Sequence, residues 1–182
     1  PRRGVAESIL RGYRKGLKRG GRPFVLNGRH PTLRAMATSK QRDPARFWKM
    51  LEGIADANPS AVSADATELL MSHLPRGATS VRVFPRRGAG LGSLGRPRYV
   101  AVAEWEGGRV GREIKGRVPP ATVFHSNCDP DWDRHGATIA LANRCHDPFF
   151  RLLPGWVARR LTPDCSRIDM AGLRTVGEVG EL

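Results

Sequence analysis

The apolar residues of this chain change their period once, near Pro75, and that change divides what it can fold into. Before it the spacing is helical. Val5, Ile9, Tyr13 and Leu17 recur every fourth residue beside Ala6 and Leu10, forming one apolar stripe. Arg11, Arg14, Lys15, Lys18 and Arg19 lie largely off that stripe, and Gly20-Gly21 is a stop signal. Pro31 opens a second short helix through Met36. Asp43-Pro44 places a cap before a proline at the first helical position, predicting a helix that buries Phe47, Met50, Leu51 and Ile54. Asp65 and Glu68 have the spacing of a capping box leading into Leu69, Leu70 and Leu74.

After Pro75 the pattern is that of strands. Val81-Arg82-Val83-Phe84 is a short β-type run, and residues 88–95 are rich in glycine. Tyr99 to Trp105 is the strongest strand signal in the chain. Gly107-Gly108 suits a two-residue hairpin turn that returns Arg109 to Lys115 as an antiparallel strand, and Pro119-Pro120 ends the unit. Residues 125–135 read as a loop, 136–145 as a short helix and 155–161 as another strand. The expected class is therefore α+β: a helical segment over 1–75, then a small antiparallel sheet with a glycine-rich loop and a mixed tail over 76–182. No internal repeat is present.

Composition narrows the function classes. No apolar run approaches the roughly 18–20 residues that a membrane-spanning helix needs, and no secretory signal follows the basic start. Three cysteines at wide spacing predict no disulfide framework and a reducing compartment, hence a cytoplasmic location. The chain begins at Pro1 rather than Met, which fits a piece of a longer protein. Of its 31 basic residues only five are lysines, so part of the +14 net charge is an Arg-biased composition. The charge is also uneven. Residues 1–49 hold 14 basic and two acidic groups, and 50–75 hold no basic and four acidic ones. Residues 76–117 hold ten and three, and 118–182 hold seven and eight. Two basic blocks of this kind select anionic partners: nucleic acid, nucleotide phosphates or an acidic neighbouring domain.

Gly90-x-Gly92-x-x-Gly95 matches the G-x-G-x-x-G pattern, and context separates its two functional versions. A dinucleotide fingerprint needs a helix after the third glycine. Here Pro97 and a β-rich run follow instead. A kinase-type loop needs strands on both sides, so that backbone N–H groups curl over nucleotide phosphates, and a lysine on the next strand. Lys115 stands across the hairpin in a chain that spells nearly every other basic position Arg. A compact ammonium sits against phosphate oxygens as a point charge. Glu113, two residues back on the same strand face, is the local candidate for its acidic partner. The plain alternative is a flexible connection and a solvated lysine.

Longer stretches carry a family resemblance. The run Arg86-Arg87-Gly88 through Ala101, then Glu104-Trp105, Gly107-Gly108-Arg109 and Arg112-Glu113-x-Lys115, resembles the bacterial family called domain of unknown function 2252. So do Gly155-Trp156-Val157 through Ile168, and the opening Ile9-Leu10-x-Gly12-Tyr13-x-x-Gly16-Leu17. The resemblance spans about residues 7 to 173 and implies a kinase-lobe-like sheet. It would make Gly90, Gly92, Ser93, Gly95 and Lys115 the phosphate-cradling half of an ATP and Mg²⁺ site. The Asp-bearing motifs that the family's longer members carry upstream are absent from these residues, so the resemblance implies phosphotransferase activity only for a longer form. It names no phosphate acceptor.

Three further constellations point elsewhere. His125, Cys128, Cys145 and His146 have zinc-ligand chemistry but match no standard finger spacing, and the same residues give only a weak Cys–His nucleophile pair. Asp129, Asp131 and Asp133 alternate without the glycine and final glutamate of a calcium loop. The basic first block, with Tyr13, Phe24, Phe47 and Trp48, is the basis for a rival reading as a nucleic-acid-binding module. A fold-completing piece without a site of its own is the third reading.

Overall fold

A computed structural model of the chain describes residues 2–20, 43–57, 62–86, 95–119, 133–142 and 146–163. Four helices and five strands are present among them: α1 (Arg2–Lys18), α2 (Pro44–Ala57), α3 (Ala64–Ser72), β1 (Thr79–Pro85), β2 (Arg98–Trp105), β3 (Gly108–Gly116), α4 (Asp133–Leu141), β4 (Arg151–Leu153) and β5 (Trp156–Arg160). The strands form one antiparallel sheet in the order β1-β2-β3-β5-β4. The fold class is α+β.

The chain forms two compact units. One comprises residues 44–141 and 147–165 and holds α2, α3, α4 and the whole sheet. The boundary expected at Pro75 falls inside it, because α2 and α3 bury their apolar faces on the strands. The other unit holds α1. Along α1 the predicted stripe is exposed at Ile9, Leu10, Tyr13 and Leu17, while Ser8 is buried and accepts a hydrogen bond from Arg11 Nη2. Gly20, at φ +68°, follows the helix where a stop was expected.

In the sheet-bearing unit, side-chain alternation sends even residues of β2 to one face and odd ones to the other. Val100 and Val102, with Phe84 of β1 and Leu161 after β5, meet Leu51, Ala55, Phe47, Trp48 and Ile54 of α2. Met50, expected in that core, is exposed, since it sits off the stripe that faces the sheet. Phe47 and Trp48 stack edge to face with centroids 5.0 Å apart. Packed against the core, they are not the free platforms that base stacking requires. On the opposite face Ala101, Ile114 and Ala158 pack beneath Ala66 and Leu70 of α3, with Tyr99, Leu153 and Trp156 alongside.

Local signals were displaced in two places. The cap of α3 is Ser63, whose hydroxyl accepts from Ala66 N–H at 3.4 Å, rather than Asp65; Asp65 lies in the first turn, where its charge favours the helix dipole. The β2–β3 turn is Glu106-Gly107, at φ 49° and 76°, so Gly108 pairs with Trp105 as the first residue of β3. A two-residue turn with positive φ at both positions matches strand twist. The helix expected at 136–145 begins at Asp133 and ends at Leu141, and β4 adds a short strand. The expected second helix at 31–36 lies outside the described residues.

Candidate functional site

The α2 helix covers only part of its sheet face. Beyond Phe84 and Val100 the same face continues into charge. Arg98 stands directly opposite Lys115, Val100 opposite Glu113, and Glu113 opposite Arg159, so antiparallel pairing brings these side chains to one side of three adjacent strands. Arg86, just past the end of β1, joins them. Its backbone N–H donates to Arg98 O at 2.9 Å, tying the two ends of the glycine-rich segment together at its neck.

Glu113 is the centre of the cluster and is completely buried. Its Oε1 accepts Arg159 Nε at 2.7 Å and lies 2.6 Å from Arg159 Nη2. Its Oε2 accepts Arg86 Nη1 at 2.9 Å and Arg98 Nη1 at 3.4 Å. A carboxylate offers about four acceptor positions. Three guanidiniums therefore engage Glu113, which also acts on the Lys115 ammonium as an opposing charge.

Lys115 is half-buried and adjoins this group. Burial pushes its ammonium below the ordinary lysine value. Arg98, Arg96 and Arg159 push it further in that direction, and Glu113 opposes them with the smallest of these influences. Burial likewise lowers Arg98, with Glu113 opposing and Arg159 and Arg86 adding to the fall. Among the described residues, Glu113 thus stands against Arg86, Arg98, Lys115 and Arg159 on this half of the face, with Arg96 near enough to act on Lys115. Such an excess, set in a partly desolvated place, attracts a compact multiply charged anion.

Two glycines shape the mouth of the site. Gly95 has φ +71°, a left-handed conformation at the return of the glycine-rich segment that a side chain rarely adopts. Gly116 donates its N–H to Pro97 O at 2.8 Å, and a Cβ there would come within 2.9 Å of Pro97 Cγ. β3 and the returning segment therefore touch backbone to ring, which fixes where the segment re-enters the sheet.

Of the residues expected to cradle phosphate, Lys115 pairs across the strands with Arg98 and Gly95 precedes β2 by three residues, while Gly90, Gly92 and Ser93 lie outside the described residues. The sequence assigned no role to Arg86, Arg98 or Arg159. The available signal was Glu113 itself, an acidic residue in a basic block, at a strand position where its neighbour Ile114 belongs to the core. His125, Cys128, Cys145, Asp129 and Asp131 are also outside the described residues, and among those described no group of three or more metal-binding side chains comes together. Glu113, with its oxygens engaged by arginines, is not a ligand for Mg²⁺. No described helix is long and apolar enough to cross a membrane. Comparisons with models of known protein families, with curated proteins and with solved structures find no match, so the reading of this site rests on its geometry.

Proposed function

We propose that the basic half of this sheet face binds the phosphate groups of a nucleotide, and that the chain is the phosphate-binding part of a kinase-like, phosphotransferase-related fold. The observation that carries the reading is the placement of Lys115 on the third strand, opposite Arg98 (which itself follows Gly95 by three residues) and beside a carboxylate engaged by arginines. A strand, a glycine-rich segment, a strand and a lysine on the following strand are the parts with which a kinase-type site holds phosphates. Mg²⁺ would enter with the nucleotide, since the described carboxylates do not assemble a site for it. The residues in hand name no catalytic base, so binding without turnover is the expected behaviour of this chain.

Calorimetric titration with Mg-ATP tests the proposal. Lys115→Ala is expected to weaken binding at least about tenfold, the scale of one charge-assisted contact. Equal affinity in parent and variant would overturn the role of Lys115. Generic DNA or RNA binding that is strongly salt-dependent, and lost on neutralising α1, would favour the nucleic-acid reading instead.

A further inference from the structure

We infer that Arg159 is a second phosphate ligand of this site, held in place by Glu113, and that the two cations on neighbouring strands select anions of two or more linked phosphates over a single one. The inference rests on the phosphate reading above. It starts from the geometry of one guanidinium. Arg159 contacts Glu113 Oε1 with Nε and Nη2, which uses one side of its planar fork. Nη1 and the remaining Nη2 hydrogen form another edge, and the side chain is 44% exposed although its partner is fully buried. A guanidinium gripped from beneath by a carboxylate has lost its rotational freedom, so a ligand meeting the outer edge does not pay to order it.

The register supplies the second point. Arg159 pairs with Glu113 on β3, and Lys115 lies two residues further along that same strand and face. Lys115 and Arg159 are close enough for the arginine to depress the lysine ammonium. One anionic group placed between them relieves that repulsion; a chain of phosphates can meet both cations at once, with a guanidinium fork for one group and a point charge for the next. Arg98 and Arg86 are more deeply placed and share Oε2, so they hold Glu113 rather than offering the outer edge.

The probes are orthophosphate, pyrophosphate and tripolyphosphate, titrated into the full 182-residue chain and its variants. The parent is expected to bind pyrophosphate at least about tenfold more tightly than orthophosphate. Arg159→Ala should remove most of that ratio by weakening pyrophosphate much more than orthophosphate. Glu113 keeps Arg86 and Arg98 in this variant; should it nevertheless fail to fold, Arg159→Lys provides the same reading, because lysine retains the charge near Glu113 but lacks the second edge. Glu113→Asp, which retains the charge but withdraws it from Arg159, should reduce the ratio partway, as expected of a positioning residue. If Arg159→Ala or Arg159→Lys keeps the parental ratio while Lys115→Ala abolishes binding, the inference fails and the site reading stands. If Lys115→Ala and the Arg159 variants all bind as the parent does, both fail. A parent that does not distinguish pyrophosphate from orthophosphate overturns the selectivity.

Discussion

Arg159 engages Glu113 through two nitrogens on a single carboxylate oxygen, at 2.7 Å from Nε and 2.6 Å from Nη2, and so joins β5 to β3 by side chain as well as by backbone. With Arg86 and Arg98 on the other oxygen, one buried acid on β3 is linked to β2, to β5 and to the residue just past β1.

Removing that charge should be costly. Glu113→Gln keeps the shape but leaves three guanidiniums facing one another without a counter-ion. Truncating one member of a buried ion pair typically costs about 3 kcal/mol or more. Urea denaturation should show a loss of that order, and added sulfate should recover more stability in the variant than in the parent, because an external anion can replace the missing carboxylate.

Binding of anions should depend on pH in a way set by Lys115. Burial, followed by Arg98, Arg96 and Arg159, lowers its pKa, so it sheds its proton at a lower pH than an exposed lysine. A bound phosphate favours the charged form. The Lys115 contribution to tripolyphosphate affinity should therefore be full below that lowered pKa and be lost as pH rises through it. The decline should begin before the ordinary lysine range, with proton uptake on binding visible as a buffer-dependent calorimetric heat. Lys115→Ala should flatten this part of the profile.

Gly111 leaves no room for a side chain. A Cβ there would sit 2.6 Å from Leu161 O, the residue whose N–H donates back to Gly111 O at 3.0 Å. Gly111→Ala must separate the two backbones and should cost about 3 kcal/mol by thermal unfolding. Gly108→Ala is the control: its nearest contact would be an ordinary 3.7 Å to Trp105 O.

Arg112 serves the other face of the sheet. It donates from Nε to His73 O and from Nη1 to Gly111 O, both at 2.9 Å, and its guanidinium lies 4.4 Å from the Phe149 ring centroid. An ammonium cannot make both planar contacts and the stacking together. Arg112→Lys should therefore destabilise the fold by about 2 kcal/mol, read by urea denaturation, without altering phosphate affinity.

These residues also show what could be read from sequence. The continuous apolar run over Tyr99 to Ala103 and the glycines after Trp105 were sufficient for β2 and β3 and for the antiparallel character, because a strand buried on both faces has apolar residues at successive positions. Local spacing singled out Lys115 and Gly95 as candidates. The arginines around Glu113 were not singled out, since Arg98, Arg159 and Arg86 come from β2, from β5 and from just past β1, and only the pairing of the strands brings them to one carboxylate. The apolar stripe of α1 shows the reverse failure: its period predicted the helix but not its exposure, which depends on what the rest of the chain places against it. The α3 cap moved by two residues because Ser63 and Asp65 are both competent caps, and packing of Ala66 and Leu70 on the sheet decides which turn comes first.

The face shared by α2 and the Glu113 cluster is half greasy and half ionic, and the two halves answer to different variables. Salt screens exposed charges and leaves apolar burial largely intact or strengthens it, whereas cooling weakens apolar burial. Ionic strength and temperature thus act as separate handles on opposite ends of a single strand pair, β2 and β3. Dilute buffer leaves repulsion among the more exposed cations unscreened, and low temperature weakens apolar burial under α2. A protein built this way can have the neck of its glycine-rich segment altered by ions while the rest of the sheet keeps its register.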